Sequence, residues 1–174
     1  MSVAGRPLDP EHLGDHIDRL YRAAWALCGS REDAEDLVQD TYARVLSKPR
    51  MLRADDDLGY LMRVLRNTFI SRHRMTERRP RTEPFTEGLD PADPRPELRP
   101  DQALEAGEVF AAIAQLPDDF RDALVAVDVA GLSYREAGKL LGAKEATITS
   151  RLHRARKQVV ALLGQESPTE GVSR

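Results

Sequence analysis

Prolines divide this sequence more clearly than any other residue type, because six of the eleven fall between residues 80 and 100. Proline removes a backbone hydrogen-bond donor and moves the residue before it out of the helical region, so closely spaced prolines prevent a continuous helix. Arginine, glutamate and aspartate fill most of the gaps between them and offer little surface to bury. We therefore predict a flexible linker at 80–100 that joins one unit at 1–79 to a second unit at 101–174.

Both units carry the apolar spacing of α-helices. Apolar residues recur at intervals of three and four on each side of the linker, and the alternation typical of a β-strand is absent. We therefore predict an all-α fold of two small helical domains. In the first unit, helices are expected from Pro10 to Gly29, from Ser30 to Pro49 with Leu46 facing inward, and from about Asp57 to Arg78.

The second unit ends in the most informative pattern of the chain. It begins with a helix that is expected to turn Leu104 inward, and Pro117 opens the next helix. Ser133 and Glu136 then form the capping box of a short helix, and Gly142 supplies a turn before the last helix. A helix, a short glycine turn and a second helix are typical of a helix-turn-helix.

Composition excludes several classes of protein. With 26 lysines and arginines against 29 aspartates and glutamates, the 174-residue chain is mildly acidic, so it lacks a uniformly basic nucleic-acid coat. Cys28 stands alone, which excludes an intramolecular disulfide framework, and the four histidines supply no metal set, so we predict neither a metal nor a cofactor. No run approaches the roughly 20 apolar residues of a membrane span, and the first residues do not resemble a secretory signal. We expect a cytoplasmic protein.

The mild net charge hides three strongly charged segments. Residues 60–81 hold seven arginines against one glutamate, and residues 135–157 hold seven basic residues against two glutamates. Residues 32–40 hold five acidic residues and no basic one. Basic clusters suit phosphate contacts, whereas an acidic helix repels DNA and needs another partner. Solvated helix faces remain the alternative, and the helix dipole alone favours acids in a first turn.

The last helix of the chain presents a plausible face for the DNA major groove. Several polar residues recur there at steps of three and four, opposite the apolar Ile148 and Leu152. Arginine can read guanine through two hydrogen bonds, and serine or threonine can contact bases or phosphates. The residues of this face are Thr147, Ser150, Arg151, Arg154 and Gln158.

Two stretches of the first unit and one of the second carry a family resemblance. Residues 20–46, which include DAEDLVQDT, and residues 60–74 resemble region 2 of the extracytoplasmic-function (ECF) group of sigma factors. Residues 131–157, which include SRLHRAR, resemble region 4 of the same group. The two motifs in this order are jointly specific.

The resemblance implies a promoter-specificity subunit of RNA polymerase and not an enzyme. It implies that the acidic helix docks on the clamp of core polymerase, that the basic helix before the linker binds the opened minus-ten element, and that the helix-turn-helix binds the minus-thirty-five element. It also implies control by an anti-sigma factor and a free chain that is monomeric. The implied residues are Asp36, Gln39 and Asp40 for polymerase, Arg63, Arg66, Asn67 and Arg74 for the minus-ten element, and Thr147, Ser150, Arg151, His153 and Arg154 for the minus-thirty-five element.

Four positions depart from the family pattern. Tyr60 stands where tryptophan is usual and Ser71 where aspartate is frequent, so the contacts of the minus-ten pocket are expected to differ. Thr149 replaces a common basic residue. Gly138 replaces a usual alanine, at a helix-propensity cost of about 1 kcal/mol at most.

Two other functions are compatible with a helix-turn-helix. An operator-binding regulator would act as a dimer without polymerase, but the sequence has no heptad seam and such a regulator leaves the acidic helix without a task. A sigma mimic would only titrate an anti-sigma partner, but the basic recognition face is intact.

Overall fold

A computed structural model describes residues 6–8, 10–48, 51–52, 56–78 and 100–165 of the chain. These residues are almost entirely helical, so the predicted all-α class is confirmed; one two-residue antiparallel ladder, which the sequence pattern did not predict, pairs Arg6 with Leu52 and Pro7 with Met51. The predicted linker lies outside the described residues except for Pro100, which begins a helix. The elements in chain order are β1 (Arg6–Pro7), α1 (Pro10–Leu13), α2 (Ile17–Cys28), α3 (Arg31–Ser47), β2 (Met51–Leu52), α4 (Asp57–Arg78), α5 (Pro100–Ala114), α6 (Asp118–Leu124), α7 (Tyr134–Leu141) and α8 (Glu145–Gln165).

The first predicted helix is broken into two. A 3₁₀ turn at Gly14–His16 separates α1 from α2, which fits the low helix propensity of a glycine inside a helical pattern. The helix α2 ends as predicted at Gly29, whose backbone has φ of 75° and whose amide donates to the Trp25 carbonyl at 2.7 Å. The hydroxyl of Ser30 accepts the amide of Asp33 and so caps α3.

Two residues predicted to face inward are exposed. Leu46 of α3 is 55% exposed and Leu104 of α5 is 67% exposed. Both lie near a helix end, where the apolar periodicity continues but, within the described part of the chain, no neighbouring element covers it. The inward assignment of these two leucines was therefore wrong, although the helices themselves form where the spacing predicts.

A π-helical turn extends the helix that follows Pro117. Residues Val125–Val129 form this turn directly after α6, and the amide of Ala130 donates to the Val125 carbonyl at 2.9 Å. Gly131, with φ of 78°, follows the turn. The short helices α6 and α7 and the long helix α8 then pack on each other, with Ile148 and Leu152 of α8 fully buried.

The two predicted units lie against each other, and their buried residues form one continuous cluster. The Trp25 ring of α2 meets the Phe110 ring of α5 edge to face at 4.8 Å between centroids. Gly29 approaches the same helix so closely that a Cβ there would lie 3.0 Å from the Cβ of Ala114. The sequence left the relative placement of the units open, and the structure supplies it.

Candidate polymerase and nucleic-acid interfaces

The acidic helix α3 presents its predicted docking residues to solvent. Asp36, Gln39 and Asp40 are all exposed, and we call them the acidic ridge. The opposite face of α3 is anchored by Leu37, which is fully buried, and by Thr41, whose hydroxyl donates to the Leu37 carbonyl at 2.7 Å. Burial of that face turns the two carboxylates outward.

One arginine of α4 forms ion pairs with both carboxylates of the acidic ridge. The Nη2 of Arg72 lies 3.8 Å from the Oδ2 of Asp36, and its Nε lies 3.7 Å from the Oδ2 of Asp40. The side chains of all three residues are more than a third exposed, so these ion pairs are weak and screened by salt. A basic partner could therefore displace Arg72 from the acidic ridge at little cost.

Three of the four predicted minus-ten residues share one exposed stripe of α4. Arg63, Asn67 and Arg74 are exposed and follow each other at helical spacing, and we call them the α4 stripe. The opposite side of the helix is fixed by Leu61 and Leu65, which are completely buried. The helix thus holds two cations and one amide side by side towards solvent.

The fourth predicted minus-ten residue points elsewhere. The Nε of Arg66 donates to the Oδ2 of Asp122 on α6 at 2.8 Å. Asp122 is 6% exposed and Arg66 is 30% exposed, so this ion pair is largely shielded from water. The structure therefore separates Arg66 from the α4 stripe and bonds it to the second unit.

The predicted minus-thirty-five face of α8 is turned outward. Ser150, His153 and Arg154 are exposed, and Thr147 is half-buried. Arg151 is 23% exposed, and its Nη2 lies 3.0 Å from the Oδ2 of Asp119 on α6. Three of the five predicted residues are therefore exposed together on α8, and Arg151 is held by a carboxylate of the same chain.

Another arginine of the second basic segment has a structural partner. Arg156 donates from Nε and Nη2 to the two carboxylate oxygens of Asp128, at 2.8 and 2.7 Å, in a bidentate pair. These hydrogen bonds raise the pKa of Arg156 above its ordinary value. The pair ties α8 to the π-helical turn, so Arg156 contributes less to the free positive charge than the sequence count suggested.

The helix-turn-helix is built from the local signals that the sequence predicts. The hydroxyl of Ser133 accepts the Glu136 amide at 3.2 Å, and the Ser133 amide donates to the Glu136 carboxylate at 2.8 Å, which completes the capping box. Gly142 ends α7 with φ of 64°. A Cβ at Gly138 would lie 2.6 Å from the carbonyl oxygen of Ala143, so glycine allows this turn to close tightly.

Sequence reasoning missed the acidic residues that pair with these arginines. Asp119 and Asp122 read as ordinary acids in the first turns of a helix, where the dipole favours them. Their partners lie 32 and 56 residues away in the chain, so no local pattern indicates the ion pairs. The one available signal is that the apolar Val125 and Ala126, which are buried, follow Asp122 at steps of three and four and so share its helix face.

The described residues offer little to a metal ion or a membrane. Within them, no group of three or more histidine, cysteine, aspartate or glutamate side chains could hold a metal. Burial raises the pKa of the Cys28 thiol to about 11. None of the described helices combines the length and the apolar character needed to cross a bilayer.

Two profiles of one family match the chain in the predicted order. Sigma-70 region 2 matches residues 13–79, and Sigma-70 region 4 matches residues 106–159. The first range contains the acidic ridge and the α4 stripe, and the second contains the helix-turn-helix.

Known proteins with these regions are similar along most of the chain. The ECF RNA polymerase sigma factor SigE of Mycolicibacterium smegmatis is 38% identical over 167 residues, which cover 94% of this chain and 65% of SigE. This chain thus spans slightly less than two thirds of SigE. The ECF RNA polymerase sigma factor EcfG of Rhodopseudomonas palustris is 35% identical over 151 residues, which cover 84% of this chain and 80% of EcfG.

Solved structures show the same fold. The sigma factor RpoE of Bartonella quintana, solved with the anti-sigma factor NepR, matches with a TM-score of 0.66 at 26% identity, over 90% of this chain and 97% of the matched chain. The structure of CnrH with the cytosolic domain of CnrY gives a TM-score of 0.62 at 23% identity, and the match covers 90% of this chain and 88% of the matched chain.

A helical unit with an acidic ridge beside a basic stripe, followed by a helix-turn-helix, defines the class, and the chain belongs to the sigma-70 family. Within that family it is an ECF RNA polymerase sigma factor, as its similarity to SigE and EcfG shows. The resemblance read from the sequence is therefore confirmed.

Proposed function

We propose that this chain directs RNA polymerase to promoters through one acidic and two basic surfaces. The acidic ridge binds the clamp of core polymerase, the α4 stripe captures the opened minus-ten strand, and the outer face of α8 reads the minus-thirty-five duplex. The observation that supports this division most strongly is that acidic and basic side chains are exposed on separate helices of one chain.

The acidic ridge suits a protein partner. Its two carboxylates lie one helical turn apart, and within the described residues they contact Arg72 through weak ion pairs. Carboxylates at this spacing repel DNA phosphates but complement a basic protein surface, which steers association and fixes orientation. Docking on the clamp of the polymerase is the role that the family resemblance assigns to this helix.

The α4 stripe suits a single strand. Arg63 and Arg74 can follow the phosphates of a backbone, and Asn67 lies between them with both amide donors and an acceptor for a base edge. Extruding a base costs a few kcal/mol, which contacts to the base and its phosphates must offset. The loop between Ser47 and Asp57, expected to complete this pocket, lies mostly outside the described residues.

The outer face of α8 suits duplex DNA. Ser150, His153 and Arg154 stand on the second helix of the helix-turn-helix, which is the helix that enters the major groove in such motifs. Arg154 can contact guanine, and the two smaller side chains can contact bases or phosphates. This division of labour involves no covalent chemistry, so the chain acts as a binding subunit of an enzyme and not as one itself.

The partners follow from this role. They are core RNA polymerase and promoter DNA in the cytoplasm, together with an anti-sigma factor, which the complex of RpoE with NepR supports. We propose that the free chain is a monomer. The domain limits stay those of the sequence prediction, 1–79 and 101–174 with a linker at 80–100.

Charge reversal on α3 tests the proposal. The double variant Asp36→Lys/Asp40→Lys should bind core polymerase at least about tenfold more weakly, because like charges then face each other. Glu32→Lys/Glu35→Lys is the matched control, since it makes the same charge change at exposed positions of the same helix outside the acidic ridge. Binding is measured by fluorescence anisotropy with purified core polymerase, and function by specific run-off transcription.

The results separate the candidate functions. Equal loss in both double variants, or unchanged transcription by the acidic-ridge variant, would remove the docking role. Specific binding of palindromic DNA by a dimer without polymerase would instead indicate an operator-binding regulator.

A further inference from the structure

A shielded ion pair between the two units joins α4 to α6. Arg66 and Asp122 form the shielded ion pair at 2.8 Å, and beside it the Arg121 guanidinium lies 5.0 Å from the centroid of the Phe69 ring. The side chains of Arg121 and Asp122 are 10% and 6% exposed, so two ionisable residues of α6 are almost fully buried here. We call the four residues Arg66, Phe69, Arg121 and Asp122 the closed contact.

We propose that the closed contact is autoinhibitory: Asp122 occupies Arg66 in place of a DNA phosphate and, together with the apolar contacts between α2 and α5, keeps the two units together until DNA or polymerase separates them. This inference rests on the proposed function, because it gives α4 a nucleic-acid partner with which Asp122 competes.

Competition for Arg66 follows from its geometry. A carboxylate and a phosphate present the same kind of acceptor oxygen to a guanidinium, and both are anions. Arg66 is one of the arginines implied in minus-ten binding, and its Nε–H group already donates a hydrogen bond to the Asp122 carboxylate. A strand that binds along α4 gains the contact of Arg66 only after this ion pair opens.

The distance between promoter elements makes the closed arrangement incompatible with binding both elements. Elements centred about 25 base pairs apart are separated by about 85 Å, at about 3.4 Å per base pair. A compact body of about 130 residues, the size of the described part, spans about 40 Å. The α4 stripe and the face of α8 therefore cannot reach both elements of a straight promoter while the units stay together.

The chain between the two units is long enough for them to separate. The segment from Arg78 to Pro100 can span at most about 70 Å when fully extended. Added to the width of the two units themselves, this reach covers the separation of the promoter elements.

Helix α6 also binds an arginine of the predicted minus-thirty-five face. Asp119, one turn before Asp122, is bonded to Arg151 of α8 at 3.0 Å. The carboxylates of α6 thus engage one arginine implied in minus-ten binding and one implied in minus-thirty-five binding. The Arg151 pair lies within the second unit and is exposed, so opening of the closed contact does not require it to break.

Asp122→Asn in the full chain tests the inference, because it removes the carboxylate charge with little change of shape. Glu108→Gln is the control for the loss of one carboxylate: Glu108 is exposed on α5 and lies outside the closed contact. Circular dichroism first confirms that each variant is folded. Small-angle X-ray scattering then reports the radius of gyration, and emission of the single Trp25, which contacts Phe110 across the units, reports their separation.

Single-stranded DNA affinity is measured with a fluorescein-labelled oligo(dT) of about 20 nucleotides at low salt, where phosphate contacts dominate. Asp122→Asn should enlarge the radius of gyration by about 5 Å, shift the Trp25 emission to the red, and bind oligo(dT) about tenfold more tightly, since the fraction of open chain limits the apparent affinity. Glu108→Gln should match the wild type in all three measurements.

The contrary outcomes are distinct. An Asp122→Asn variant that keeps the wild-type size and affinity overturns the inference, and so does one that expands without binding more tightly. Both leave the proposed function standing, because the wild type still binds oligo(dT). Absence of oligo(dT) binding in every chain, the wild type included, contradicts the proposed role of α4 itself and the inference with it.

Discussion

Replacing Gly138 by alanine decides between two opposite expectations. Helix propensity alone predicts that Gly138→Ala stabilises α7 by about 1 kcal/mol. The structure predicts the opposite sign, because the new Cβ would lie 2.6 Å from the Ala143 carbonyl oxygen, whereas ordinary contacts begin at 3.4 Å. The obstacle is backbone, and the same turn is held by the Ala143 amide, which donates to the Gly138 carbonyl at 3.0 Å.

The magnitude follows from setting the two effects against each other. Overpacking that forces backbone to shift costs about 1 to 3 kcal/mol, and the propensity gain offsets about 1 kcal/mol of it. We expect a net loss of about 1 kcal/mol, seen as a melting temperature lower by about 3 °C in circular dichroism. Because the turn positions α8, binding to minus-thirty-five duplex DNA should weaken as well.

Gly107→Ala is the matched control for this variant. Gly107 also lies inside a helix, α5, but its Cβ would meet only a ring carbon of Trp25 at an ordinary 3.6 Å. That variant should gain about 1 kcal/mol of stability. If Gly138→Ala is stabilised to the same degree, the argument from the close approach of Ala143 is refuted.

Two further predictions concern ionisable groups. Burial raises the pKa of Cys28 to about 11, so at pH 8 iodoacetamide should alkylate the folded chain about a hundredfold more slowly than the urea-unfolded chain, and equal rates would contradict this burial. Hydrogen bonds from the side chain and then the backbone of Ser133 hold the pKa of Glu136 below its ordinary value. The stabilisation by this carboxylate is therefore present above the unfolded pKa of about 4.3 and is lost as the pH falls through the lowered folded pKa. In thermal melts, the advantage of the wild type over Glu136→Gln should shrink across this acidic range, and an advantage that does not change with pH would count against the capping box.

Local features of the fold could be predicted from the sequence because they depend on neighbouring residues. The capping box of Ser133 and Glu136 and the glycine turn at Gly142 each involve residues within one or two turns of a helix. The outward direction of Asp36 and Arg154 follows from the apolar residues on the opposite faces of their helices. Helical periodicity is enough to establish such orientations.

Contacts between distant segments could not be predicted in this way. Arg66 and Arg151 have the sequence character of free basic residues, yet each is bonded to a carboxylate of α6. Their partners depend on how α4, α6 and α8 pack, and a single sequence contains no periodic signal for that packing. Leu104 was wrongly predicted to be buried for the same reason, because its place in an apolar stripe does not ensure that another element covers it.

The π-helical turn after α6 sets the phase of the acidic residues around the axis of this helix. One additional residue in a helical turn rotates everything beyond it by about 100° relative to a regular α-helix. Asp119 and Asp122 precede this offset and Asp128 lies within it, so carboxylates of one continuous helical segment bind Arg66 of α4 and two arginines in the middle of α8. Deleting one residue from Val125–Val129 would restore a regular α-helix but would rotate Asp128 away from Arg156. The π-helical turn therefore preserves the ion pair that joins α8 to this segment.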